Sequence, residues 1–391
     1  MTESIDDLIR QVQTISLEPR YGKLRRNPPR VQVMVGLGRS LMGRELGYNM
    51  RDYFTDMEVR LVGQLKSKIF SHKSIDDDTV ITAEVGYDYG AAGTMEAALF
   101  GVPSIFDAAK DPFCASQPVI VEHSDLKKLK VPDFHETEPM PFIHEKYREL
   151  CALVDGQLRV TFPGWTRSPW SVATFLRGFN ELYMDVADDP SFVRDLLDFI
   201  AEARIRWETQ RCEFMGTSPR SGDAPGNWFS NCYVDYRPVH ISDVYSDETD
   251  GNSISPSVYE ETILPSELKL AEFYGGIRYY HSCGNLTPLL DAMARIPGLS
   301  ILHVSSWTGL TAANTKCGPS ITLQKVMHPQ DDVMNQDEAG IRAQIQDILK
   351  TVPDRKLLIC ADAIYEGSVD KVRSWLRVAR ETVDSWTGSR D

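Results

Sequence analysis

No stretch of this 391-residue chain reaches the roughly 18 consecutive apolar residues that a membrane-spanning helix needs. Its first residues, Met1-Thr2-Glu3-Ser4-Ile5-Asp6-Asp7, are acidic and lack the basic-then-apolar order of a secretory signal. No block of Lys and Arg marks a nucleic-acid face, and the formal net charge is −14. The seven cysteines, at 114, 151, 212, 232, 283, 317 and 360, are scattered and odd in number, which excludes a disulfide scaffold and suits free thiols in a reducing compartment. These absences lead to the expectation of a cytoplasmic protein with no nucleic-acid or membrane partner. Repeats and low-complexity tracts are also missing. Hydrophobic residues at 42% and charged residues at 25% specify a packed globular core.

What is present is a rhythm of short, apolar, β-branched runs followed by longer segments of helical periodicity. Eight candidate strands cover 31–36, 80–85, 158–163, 239–244, 277–283, 300–305, 321–326 and 357–361. Several are almost wholly apolar, as parallel strands buried on both faces are. Between them, Asp189-Pro190 supplies a cap and first helical residue ahead of the apolar stripe Val193, Leu196, Leu197, Ile200 and Ala201. Thr287-Pro288 opens a helix through Ala294. Ile341, Ile345, Ile348 and Leu349 recur at helical spacing, as do Val369, Val372, Leu376, Ala379 and Val383, with Ser368 placed to cap them.

This alternation predicts an α/β fold, a (β/α)8 TIM barrel over residues 26–391 with an N-terminal helical extension over 1–25. The competing architecture is an open doubly wound sheet. It is disfavoured because the first strand is followed by Gly36-Leu37-Gly38 with Leu41 at the third glycine position of a dinucleotide fingerprint. Residues 213–238 are rich in Gly, Pro, Ser, Asn and aromatics, and read either as a lid or as a surface excursion on the rim.

In such barrels the chemistry gathers at the C-terminal strand ends. His281 and Cys283 end the fifth candidate strand, Cys360 the eighth, His303 the sixth, Asp243 the fourth and Glu84 the second; Asp247 and His328 lie just beyond strand ends. In His281-Ser282-Cys283 the i and i+2 side chains share one face of a strand and can reach one ion. Imidazole nitrogen and thiolate sulfur are zinc ligands, and three protein ligands with an open fourth position make a catalytic site. Gly284 permits a sharp turn after them. Asp243 and Asp247 are candidate catalytic carboxylates, with Asp362 a further pocket carboxylate, and Arg39 and Arg167 are placed either to bind an anionic group or to pair with acids. Trp165, Trp170 and Trp307 are candidates for a pocket wall or for core packing.

Residues 277–285, reading I-R-Y-Y-H-S-C-G-N, resemble the zinc strand of the methylcobalamin:coenzyme M methyltransferases of the uroporphyrinogen decarboxylase superfamily, with a lone cysteine, Cys360, 77 positions after Cys283. Residues 254–265, I-S-P-S-V-Y-E-E-T-I-L-P, resemble a helix start of that family, and residues 164–197 its Asp-Pro helix region. The resemblance implies His281, Cys283 and Cys360 as zinc ligands, and a corrinoid (cobalamin) carried on a separate protein as methyl donor or acceptor for a small substrate. The chain departs from the pattern at Leu302-His303-Val304, where a ligating Glu is replaced; His303 becomes the candidate fourth ligand. It also keeps one arginine, Arg39, of the decarboxylases' arginine motif, which argues against a porphyrin substrate. The alternative is a metal-free decarboxylase-like barrel; a non-catalytic zinc protein and a methionine-synthase-like enzyme are further rivals.

Overall fold

The computed structural model describes residues 3–26, 30–91, 93–221, 239–353 and 357–386. Its strands, among the described residues, are β1 (Gln32–Leu37), β2 (Glu84–Gly86), β3 (Ser104–Ile105), β4 (Phe113–Cys114), β5 (Arg159–Thr161), β6 (Val244–Tyr245), β7 (Tyr279–His281), β8 (Ile301–Val304), β9 (Thr322–Met327) and β10 (Leu357–Ile364). β3 and β4 form a small antiparallel hairpin. The other eight, interleaved with helices, fall on or beside the eight expected runs and build a (β/α)8 barrel.

The barrel wall is two parallel arcs. One runs in the order β1-β10-β9-β8-β7-β6, so that the first and last strands are neighbours; the other pairs β2 with β5. Buried charged side chains complete the seams between the arcs, where ladder hydrogen bonds are few and main-chain groups still need partners. Beside β1, the Asp77 carboxylate accepts from Val35 N at 2.7 Å and the Asp78 carboxylate from Val33 N at 2.8 Å. This is why the second strand is shorter than the expected 80–85: carboxylates, rather than a neighbouring main chain, take those two amides of β1. Burial pushes the Asp77 carboxyl up to about 6.

At the other seam a single parallel bridge, Arg167 to Tyr245, joins the segment after β5 to β6. There the Glu96 carboxylate accepts from Thr166 N (2.9 Å) and Arg167 N (3.2 Å). The fully buried Arg204 guanidinium donates to the carbonyls of Arg167 (3.0 Å) and Ile241 (3.3 Å). The expected strand 239–244 contracts to Val244–Tyr245 because His240 to Asp243 form a tight turn, with Asp243 N donating to His240 O at 3.0 Å.

The helices follow their sequence signals. Asp189 caps the helix Pro190–Met215 through Phe192 N, and Gly216 ends it in the left-handed conformation. Ser4 and Asp7 form a capping box on Ile5–Ser16, whose Leu8, Ile9, Val12 and Ile15 are buried. Full burial of each such side chain contributes about 1.5–3 kcal/mol. Two expectations are corrected. Ser368 stands at the cap of Val369–Ser385 but makes no capping hydrogen bond with its side chain. The helix expected over 287–294 is a 3-10 turn, Thr287–Leu289, running into one α-helical turn, Leu290–Met293. No helix among the described residues is long and apolar enough to cross a membrane.

Arg39, a candidate site residue expected either to bind an anionic group or to pair with acids, pairs with acids in a buried ion network. Its guanidinium contacts Asp88 and Asp111 and donates to Gly90 O, while the second oxygen of Asp88 takes the fully buried Arg60. Removing Asp88 would leave two buried guanidinium groups short of a counter-charge. Asp88→Ala is therefore expected to lower unfolding stability by about 3–5 kcal/mol, against about 1 kcal/mol for the cap variant Ser4→Ala, as read by denaturant titration of both.

Candidate metal centre and its cavity

The register of the long arc explains which side chains meet. Tyr245 pairs with His281, and His303 with Gln324, so these residues face the barrel interior at neighbouring levels. Along β7 the same alternation puts Tyr279, His281 and, just past the strand, Cys283 on one face. Ser282 points the other way and acts as a tie: its hydroxyl donates to Thr249 O at 2.7 Å and its carbonyl accepts from His303 Nδ1 at 2.7 Å.

Three potential ligand atoms, from Asp247, His281 and Cys283, lie within 4.8 Å of one another. His281 Nε2 is 3.5 Å from Cys283 Sγ and 3.0 Å from Asp247 Oδ1. The other ring nitrogen fixes the tautomer. Tyr279 donates its hydroxyl proton to Gln324 Oε1 at 2.7 Å, so its oxygen accepts from His281 Nδ1–H at 2.9 Å. In the neutral ring, Nε2 then carries a lone pair, aimed among a carboxylate oxygen and a sulfur. Asp247 Oδ1 is buried and has no well-aligned hydrogen-bond partner despite its closeness to Nε2. Three electron-rich atoms facing one another are stabilised by a proton or a cation between them, and imidazole, thiolate and carboxylate together suit zinc. The Tyr279–Gln324 relay is the kind of outer support that orients a ligating histidine.

Arg167 positions Asp247. Its guanidinium, almost fully buried, lies 2.5 Å from Asp247 Oδ2 and 3.7 Å from Glu248 Oε2. Burial alone would raise the Asp247 carboxyl, but the Arg167 guanidinium holds it well below the usual carboxylate range. Cys283 is exposed toward the cavity, yet desolvation by the groups packed around its sulfur, with the Asp247 carboxylate, pushes its thiol up. Burial lowers His303 well below the usual imidazole range, which keeps that ring neutral.

The remaining expected site residues are placed as follows. Cys360 is buried on β10 in an apolar cluster with Met34, Tyr279 and Leu358, outside the three-atom group. The His303 ring lies tilted against His281 with ring centres 3.9 Å apart and is likewise outside the group, its Nδ1 given to Ser282. Asp243 is fully buried and paired with Arg278, while also accepting from His240 N at 2.7 Å, so that both carboxylate oxygens are engaged. Asp362 packs against Gly36, where an added Cβ would come within 1.9 Å of Asp362 Oδ1 and force that carboxylate to move. Trp165 and Trp170 are core residues, whereas Trp307 is 66% exposed. Gly284 serves close approach more than turning: a Cβ there would meet Thr249 O at 2.8 Å. Most of the 213–238 segment, from 222 onward, lies outside the described residues.

Above the three donors opens a cavity of about 410 Å³, with Asp247 and Cys283 among its lining residues and Phe179, Tyr183 and Trp307 as aromatic walls. Phe179 and Tyr183 were not singled out in the sequence. They come from the helix Phe179–Asp188, far from the metal strand in the chain. Tyr279 could have been found by extending the i, i+2 alternation one step backwards.

The sequence profile of the uroporphyrinogen decarboxylase family matches residues 91–211 and 240–362, well over half of the chain. The chain belongs to the uroporphyrinogen decarboxylase family. Among solved structures it is similar to a methyltransferase from Methanosarcina mazei, at 15% identity with a TM-score of 0.64, covering 97% of this chain and 98% of that one. A likeness at this identity speaks for the shared fold. A putative vitamin-B12 independent methionine synthase from Listeria monocytogenes aligns with a TM-score of 0.35 and 15% identity over 62% of this chain and 69% of its own, too loosely to carry an argument. No curated protein matches the chain.

Behind β7 the donor strand rests on a buried acid. Glu267 accepts from Tyr259 OH at 2.6 Å and from Tyr280 OH at 2.7 Å, Tyr280 being the residue before His281. Burial pushes the Glu267 carboxyl up from 4.5 to about 7. An acid whose folded-state value is raised favours folding when protonated. Its contribution is present below about pH 4.5 and is lost as pH rises through about 7. Melting temperatures of Glu267→Gln and the parent protein, followed across that window, should show a decline in the parent that is flattened in the variant.

Proposed function

We propose that this protein is a zinc-dependent methyltransferase that moves a methyl group between a corrinoid carried on a separate protein and a small substrate bound in the cavity. The observation that carries this reading is the convergence of Asp247, His281 and Cys283 beneath an open cavity, at the strand ends where barrels of this kind do chemistry. Membership of the family and a fold shared with a protein named as a methyltransferase support it.

His281 and Cys283 are the two ligands on which the resemblance and the geometry agree. Asp247 is the third donor favoured by position; Cys360 is the third donor that the resemblance implies, with His303 as a further candidate. When bound, zinc supplies a Lewis-acid centre that keeps a substrate heteroatom in its nucleophilic form. The chain's own residues do the rest. Tyr279 and Gln324 lock the His281 ring with Nε2 outward. Arg167 keeps Asp247 ionised and aimed at that nitrogen. Cys283, whose thiol is raised by desolvation, must release its proton on metal uptake, so binding weakens as pH falls. The aromatic side chains Phe179, Tyr183 and Trp307 line the cavity in which the substrate would sit.

The metal-free decarboxylase-like alternative needs free cations to hold a polycarboxylate. Arg39 and Arg167 are both paired with carboxylates, and no Lys or Arg is among the described cavity-lining residues.

Elemental analysis should find about one zinc per chain in the parent protein and little in His281→Ala or Cys283→Ala. Tyr279→Phe, which removes the acceptor for Nδ1–H, should weaken zinc affinity about 10- to 100-fold. Zinc content of Asp247→Asn beside Cys360→Ala identifies the third donor as whichever loses the metal. Turnover of methylcobalamin with a panel of methyl acceptors, absent in Cys283→Ala, would follow. A parent protein prepared without chelator that takes up no zinc would overturn the reading.

A further inference from the structure

The cavity over Cys283 is both aromatic and acidic. Phe179 and Tyr183, one helical turn apart with ring centres 4.5 Å from each other, form one wall, and Trp307, beyond β8, forms another. Phe179 is 52% and Trp307 66% exposed, although each is a large apolar surface that gains by being covered. Asp247, Glu248 and Asp250 also line the cavity, and no cationic side chain is among the described lining residues. Arg167 sits behind the cavity, beside Asp247, and can balance one of the three carboxylates. Glu248 is tied by the Ser171 hydroxyl and lies 3.7 Å from the Arg167 guanidinium, while Asp250 Oδ1 accepts from Asn252 N and Asn285 N, both at 3.0 Å; one guanidinium shared by Asp247 and Glu248 leaves the three carboxylates with a surplus of negative charge. Tyr183 donates to Glu248 O at 3.0 Å, which binds the aromatic wall and the acidic floor into one unit.

We propose that this cavity binds a methylated cation, an ammonium or sulfonium group, held by the faces of Phe179, Tyr183 and Trp307 and by the surplus charge of Glu248 and Asp250. The proposal names the substrate class of the site described above and rests on the methyl-transfer reading for its purpose, not for the binding itself. A methylated onium is too diffuse to be held by directed hydrogen bonds, but the negative faces of aromatic rings attract it. The same carboxylates repel sulfonate- or carboxylate-bearing thiols, so the pocket discriminates by charge sign as well as by shape.

The test uses the intact, zinc-loaded protein and three probes of matched shape: choline, its neutral carbon isostere 3,3-dimethylbutan-1-ol, and the anion 3,3-dimethylbutanoate. Isothermal titration should show choline binding at least ~10-fold tighter than the neutral isostere and no binding of the anion. Trp307→Ala and Glu248→Gln should each weaken choline ~10-fold while retaining zinc. Equal binding of choline and its isostere, or preference for the anion, would overturn the proposal. So would choline binding that neither substitution alters. Zinc measured on the same samples separates the two ideas: zinc present without onium selectivity sinks only this inference, whereas onium selectivity in a protein that takes up no zinc sinks only the metal reading.

Discussion

The candidate centre depends on one buried ion pair, Arg167 with Asp247. Arg167 belongs to the segment that bridges to β6, and Asp247 to the loop that leaves β6. Their pairing pulls that loop over the barrel mouth and sets a carboxylate oxygen 3.0 Å from His281 Nε2. Without the guanidinium, burial would favour a protonated, weaker donor at Asp247. The pair also fixes Glu248, whose main-chain carbonyl takes Trp170 Nε1 and Tyr183 OH, so that Asp247 and the aromatic wall are held by one loop.

The same device recurs around the barrel. Where the strand ladder is thin, Asp77, Asp78, Glu96 and Arg204 supply the hydrogen bonds that neighbouring strands would otherwise give. Buried charges of this kind are costly unless every donor and acceptor is matched, and here they are matched largely to main-chain atoms. The consequence is a wall that is regular from β6 through β10 to β1 and irregular around β2 and β5. The regular arc carries His281 and Cys283, where i, i+2 spacing demands a straight strand. The irregular seam supplies Asp247, where a loop must bend inward.

The eight strand positions were readable because parallel strands buried on both faces are short apolar runs, and the helices because caps such as Asp189-Pro190 mark their starts. The pairing of His281 with Cys283 was readable for the same local reason. Arg39 and Asp243 stand out in the sequence because they lie at strand ends, but the partners that hold them, Asp88 and Arg278, lie 49 and 35 residues away and could not be read from it. Trp165 and Trp170 went the same way into the core, leaving Trp307 alone of the three on the cavity.

The sequence by itself determined the barrel, the strand end that brings His281 and Cys283 onto one face, and the lack of any long apolar run. Those are properties of periodicity and of residues two positions apart. Only the tertiary structure decided that Asp247 approaches the ring, that Tyr279 reaches Gln324 to set its tautomer, and that Phe179 and Tyr183 stand across from Trp307. Each of these meetings joins segments separated by tens of residues, and their distance in space depends on how the barrel closes, which no local pattern records.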